Sequence, residues 1–94
     1  MIDLNKIAKE IIENRKRRLF PSAHDLNKTT SGLAEEVGEW AKALRKVNTD
    51  EQVDALVDIM VYCLGGLEIL GVNPEEELLA VIEANKKREH TGHH

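Results

Sequence analysis

The residues able to do chemistry in this chain fall in two acidic clusters, Glu35-Glu36-Val37-Gly38-Glu39 and then Glu51, Asp54 and Asp58. Glu36 and Glu39 are three apart and Asp54 and Asp58 four apart, so on helices each pair projects from one face. At 100° per residue, Glu51, Asp54 and Asp58 share an arc of about 60°. Val53, Leu56, Val57, Ile59, Met60, Cys63, Leu64 and Leu67 cover most of the remaining circumference. A helix apolar nearly all round is expected to be buried. Carboxylates on a buried helix need basic partners or metal ions, because an unpaired charge in a core is costly. If the two helices pack antiparallel, the pairs converge in one crevice. An all-oxygen donor set suits hard ions such as Mg²⁺ or Mn²⁺ and, without thiolates or imidazoles, suits zinc and copper poorly. Such ions bridge substrate phosphates and activate water. Surface decoration, or charge placed at helix N-termini, is the competing explanation.

Four helices have to hold these side chains, and no alternating strand pattern competes with them. The first runs from about Asp3 to Arg18, with Leu4, Ile7, Ala8, Ile11 and Ile12 at helical spacing. Its basic end, Arg15-Lys16-Arg17-Arg18, lies where the helix dipole favours cations. A polar loop is expected over residues 20–28, where Pro21 discourages continuation of the helix. The second helix, about Thr29 to Val47, has a heptad-like seam of Leu33, Val37, Trp40, Leu44 and Val47. The third opens at Thr49-Asp50-Glu51-Gln52, which reads as a capping box, and ends at Leu70 before Gly71. Within it, Gly65-Gly66 points to close approach by another helix. The fourth starts at Asn73-Pro74-Glu75-Glu76, a cap residue followed by a first-turn proline, and runs to about Glu89. The expected fold is all-α, a four-helix antiparallel bundle.

Ninety-four residues make one small domain that buries little core by itself, so a homodimer or a dimer of dimers is expected. A formal charge of −4 argues against nucleic acid as a partner. No apolar run reaches membrane-spanning length and no signal-peptide pattern opens the chain, so the expected site is cytoplasmic with no membrane association. The single cysteine, Cys63, sits in the most apolar stretch and reads as an inert buried thiol. Residues 1–90 form the domain. The histidine-bearing end, 91–94, reads as a frayed tail or tag remnant, with metal binding the alternative.

Taken in order, Leu33-Ala34-Glu35-Glu36-Val37-Gly38-Glu39-Trp40, Asp54-Ala55-Leu56-Val57-Asp58-Ile59-Met60-Val61-Tyr62, Leu70-Gly71-Val72-Asn73-Pro74-Glu75-Glu76 and Asn85-Lys86-Lys87-Arg88 resemble the MazG-like all-α nucleoside triphosphate pyrophosphohydrolases over about residues 26 to 90. That superfamily has a Glu-Glu-x-x-Glu motif and a later Glu-x-x-Asp motif on facing helices, binds Mg²⁺, and releases pyrophosphate from a nucleotide. The resemblance implies that Glu36, Glu39 and Asp58 are metal ligands and that Glu35 is a ligand or orients the attacking water. In the second motif Ala55 stands where the glutamate is expected, and Asp54 is the natural substitute, with Glu51 peripheral or on an additional ion. Tyr62 is a candidate for base stacking. Trp40 is read as seam packing in preference to stacking, and His24 and Asn27 either read a base edge or are, respectively, solvent-exposed and part of a turn. Lys28, Asn85, Lys86, Lys87 and Arg88 are candidates for phosphate neutralisation, the helix dipole being the alternative for the last group. The implied activity is Mg²⁺-dependent hydrolysis of a nucleoside triphosphate to monophosphate and pyrophosphate, in nucleotide housecleaning. Phosphoribosyl-ATP pyrophosphohydrolase is the alternative within the class, and a helical interaction protein without catalysis the alternative outside it.

Overall fold

The computed structural model describes residues 2–19 and 22–90, and among these there is no strand. Helix α1 spans Leu4–Leu19, α2 Leu26–Arg45, α3 Thr49–Ile69 and α4 Pro74–His90, with one 3-10 turn at Ser22–His24. The chain is all-α as expected. Phe20, Pro21 and the 91–94 tail lie outside the described residues.

Local chemistry explains the helix ends. Asp3 Oδ1 accepts from the Asn5 and Lys6 amides and opens α1. Helix α2 begins three residues before the expected start, because the Asp25 carboxylate accepts from Asn27 N at 2.9 Å and Lys28 N at 3.3 Å. Asn27 and Lys28 therefore belong to the helix and not to the loop. The cap of α3 is Asn48 and not Thr49, its amide oxygen accepting from Glu51 N at 3.0 Å. Asn73 caps α4 through Glu76 N at 2.9 Å, and Asn5 of α1 accepts from Glu75 N at 3.1 Å, tying the two helices together. Gly71 takes φ 77°, so that its own amide and that of Val72 reach back to Glu68 and Leu67 and end α3.

Helices α2 and α3 form the dominant hairpin, α1 lies across α3, and α4 turns away by 111° with only light contact to α1 and α3. Small residues close the seams. Thr29, Gly32 and Ala43 are the buried positions of α2, and Ala55 and Gly65 those of α3. A Cβ at Gly32 would lie 2.5 Å from Tyr62 Cζ, and one at Gly65 would lie 2.8 Å from Arg15 Nη2. The close approach anticipated at Gly65-Gly66 is thus made by α1 against Gly65, while Gly66 faces Thr29 Cγ2 at ordinary contact distance.

Three expectations about burial are overturned. Helix α3 is not buried all round: Val53, Val57 and Met60 are 50–58% exposed, because α2 and α1 cover only the face carrying the small residues. In the α2 seam, Leu33 and Trp40 are half-buried but Val37, Leu44 and Val47 are exposed. Cys63 is exposed too, bordering an apolar groove of about 370 Å³ between α3 and α4 that includes Met60, Leu64, Leu78 and Val81. Among the described residues, no single helix is long and apolar enough to cross a membrane.

A carboxylate cleft at the candidate active site

The α2–α3 hairpin brings the two acidic clusters face to face. Because the helices run antiparallel, Trp40 meets Gln52 near the turn, its indole N–H donating to Gln52 Oε1 at 3.2 Å. Trp40 is half-buried in the seam, the packing position expected of it. From the turn outward along the hairpin, Glu36, Glu39, Glu51, Asp54 and Asp58 line one open cleft of about 290 Å³, together with Ala55 and Lys46. Ala55 is buried at 3% exposure, so the residue in the glutamate position of the second motif borders the cleft beside Asp58.

Like charges dominate this cleft. Partial burial raises the Glu36 carboxyl above its ordinary range, and the Asp58 carboxylate within hydrogen-bonding reach raises it further, with Glu39 and Glu35 adding to the effect. Glu39 has a loose partner in Lys42, at 3.8 Å one turn along the same exposed face, a pairing of little energetic weight. Lys46, from the end of α2, brings the cleft a positive charge that the spacing argument did not single out. The donor set is all carboxylate oxygen and carries excess negative charge, which fits a hard divalent cation. The side chains are not drawn together in advance: among the described residues, no three His, Cys, Asp or Glu groups converge as a ready metal site.

The remaining candidates are scattered. Glu35 is exposed and does not line the cleft. His24 is exposed in the 3-10 turn, and Asn27 and Lys28 are exposed in the first turn of α2. Asn85, Lys86, Lys87 and Arg88 are exposed on α4, Lys86 facing Glu83 at 3.8 Å, and none borders the cleft. Tyr62 is half-buried one turn beyond Asp58 and packs over Gly32.

Beyond Tyr62 lies a residue that spacing could have revealed. Arg15 is 7% exposed, its Nη1 donates to Thr29 Oγ1 at 3.2 Å, and its guanidinium carbon stands 5.3 Å from the Tyr62 ring centroid. Arg15 falls on the same face as Ala8 and Ile12, the two buried apolar residues of α1, so periodicity places it inward. Its position in a basic run at a helix end disguised that signal.

The model of the phosphoribosyl-ATP pyrophosphohydrolase family matches residues 2–85. The chain belongs to that family. It is accordingly a nucleotide pyrophosphohydrolase of the MazG-like all-α superfamily, the class its motifs resemble. No curated protein and no solved structure matches it. The family match spans α1, α2 and α3 and most of α4, so it includes both walls of the carboxylate cleft and Arg15.

Proposed function

We propose that this protein cleaves the bond between the α and β phosphates of a nucleotide in a Mg²⁺-dependent reaction, with Mn²⁺ an acceptable substitute. The observation that carries this reading is that Glu36, Glu39, Asp54 and Asp58 line one cleft in which Lys46 is the one cation among the lining residues. These four side chains would hold the metal, Glu51 standing at the rim. A bound divalent ion supplies neutralisation of the polyphosphate and a water of lowered pKa. Lys46 offers a cation at the cleft edge for a phosphate oxygen. Glu35, exposed beside the cleft, is a candidate to orient water only if its side chain swings in on substrate binding.

For the substrate, the family match favours phosphoribosyl-ATP at least as strongly as an unmodified nucleoside triphosphate. The deciding experiment is a panel of phosphoribosyl-ATP and the common ribo- and deoxyribonucleoside triphosphates, with Mg²⁺ and with chelator. Pyrophosphate release from phosphoribosyl-ATP well above the others, abolished by chelation, is the expected outcome. Turnover of unmodified triphosphates alone would assign the protein to nucleotide housecleaning instead.

We further propose that the working form contains at least two copies of the chain. The accessible surface is 7261 Å², whereas a compact monomer of 10.6 kDa exposes about 5,500 Å². The excess, about 1,800 Å², is more than the roughly 800 Å² that each partner buries in a standard interface. Its apolar part is concentrated on the outer face of α3 and along α4, where Leu78, Leu79, Val81 and Ile82 are all exposed.

A further inference from the structure

Arg15 is a buried cation without an anion. Its Nη2 has no hydrogen-bond partner and no solvent contact. Its neighbours within reach are a threonine hydroxyl and an aromatic face, both uncharged. Among the described residues no carboxylate pairs with it. Burial lowers its pKa, and Arg18 adds a second positive charge nearby. A guanidinium remains protonated in such surroundings, so the fold holds a desolvated positive charge that no described residue balances.

Its location relative to the cleft gives this charge a use. Arg15 touches Thr29 and Gly65, and Tyr62 lies over it. Thr29 and Gly32 lie seven and four residues before Glu36 on one face of α2, and Tyr62 and Gly65 lie four and seven residues after Asp58 on one face of α3. At 1.5 Å per residue, the guanidinium thus stands about 10 Å along the same seam from the carboxylate cleft. A polyphosphate held at the carboxylates has all its anions together at one end. A nucleotide that carries a second phosphate on a sugar attached to its base has anions at both ends.

We propose that Arg15 binds this second phosphate, the 5-phosphate of the phosphoribosyl group, through the Nη2 edge that the fold leaves unpaired. The proposal rests on the reading of phosphoribosyl-ATP as substrate, and it makes Arg15 the residue that tells this substrate from ATP. Nη2 is buried beside Gly65, so entry of the phosphate requires the half-buried Tyr62 ring to turn off Gly32. Thr29, holding Nη1, fixes the fork so that Nη2 remains for a phosphate, a planar geometry that arginine provides and lysine does not.

Two measurements test this on the wild-type protein, Arg15→Gln and Arg15→Lys, each checked for helical circular dichroism. The first is kcat/KM with phosphoribosyl-ATP and with ATP. The second is calorimetric binding of ribose 5-phosphate in the absence of metal. Arg15→Gln is expected to lower kcat/KM for phosphoribosyl-ATP by about tenfold or more, and that for ATP by less than about threefold. Ribose 5-phosphate binding should weaken in parallel, and Arg15→Lys should recover only part of both. An equal loss on the two substrates would overturn the assignment, making Arg15 a structural residue or a partner of the polyphosphate. If the wild type hydrolyses ATP but not phosphoribosyl-ATP, the substrate reading fails, and calorimetry still decides on Arg15. Ribose 5-phosphate binding that disappears in Arg15→Gln upholds the phosphate site, and binding that is absent or unaltered refutes it. Should Arg15→Gln not fold, Arg15→Lys carries the same comparison, since it keeps the charge and loses the fork.

Discussion

Glu36 and Asp58 face each other across the α2–α3 seam, and the energetics of that pair set what single substitutions should do. Metal-free protein carries the repulsion uncompensated. The Glu36 carboxyl has its pKa raised, by burial first and by Asp58 second. The folded state therefore binds more protons than the unfolded state between the ordinary value, 4.5, and the raised one. The contribution of protonated Glu36 to metal-free stability is fully present below that window and is lost as pH rises through it. Glu36→Gln should consequently raise the melting temperature of chelated protein at neutral pH and flatten its decline with pH; a lower melting temperature would show that the ionised carboxylate is compensated. In turnover the same group is expected to be indispensable, as are its neighbours. Asp58→Asn and Glu39→Gln should each lower kcat by about a hundredfold or more, since losing even a residue that only supports a metal ligand costs about 10–100-fold, while helical circular dichroism persists. Asp54→Asn should cost nearly as much, since the cleft offers Asp54 where the motif has Ala55. Wild-type turnover in any of the three would remove that residue from the ligand set.

At the scale of elements, helix existence and polarity were legible because each signal was local. Asn73-Pro74 and Gly71 place the α3–α4 junction by capping and by left-handed geometry alone. Two acidic pairs at helical spacing were enough to foresee one cleft. What local pattern could not convey was which face each helix turns inward. Apolar content suggested that α3 is buried all round, yet its buried positions are Ala55 and Gly65, because close packing against α2 and α1 selects small residues. Arg15 was masked for a related reason: its charge outweighed its register with Ala8 and Ile12. One element end is strained. Val47, the residue that reverses the chain between α2 and α3, holds φ 56°, and it is 82% exposed. A β-branched residue in the left-handed region costs about 1–2 kcal/mol, and exposure means that little packing offsets it. Val47→Gly should therefore stabilise the protein by about 1 kcal/mol, read as a rise in chemical-denaturation midpoint at constant m value. A lowered midpoint would show that the Val47 side chain is covered by another subunit.

For the whole molecule, size and surface disagree with a lone chain. The radius of gyration is 15.5 Å, against about 12 Å for a compact domain of this length. Helix α4 stands off the rest, with Pro74 its one buried residue among those described. A monomer in this form would leave the α3 and α4 apolar faces in water. Light scattering at micromolar concentration is expected to give a mass at or above twice 10.6 kDa; a single species at 10.6 kDa would contradict the proposed assembly. The carboxylate cleft is lined from one chain, by α2 with its C-cap Lys46 and by α3, so dissociation should weaken the fold before it removes any proposed ligand.

Which phosphate bond breaks is decided by the products. Phosphorus NMR of phosphoribosyl-ATP and ATP incubated with Mg²⁺ and enzyme should show pyrophosphate and the corresponding monophosphate appearing in equal amounts from whichever nucleotide is consumed. Neither product should form with chelator or with Asp58→Asn. Orthophosphate appearing together with a nucleoside diphosphate, or full product formation by Asp58→Asn, would contradict cleavage at the α phosphate in this carboxylate cleft.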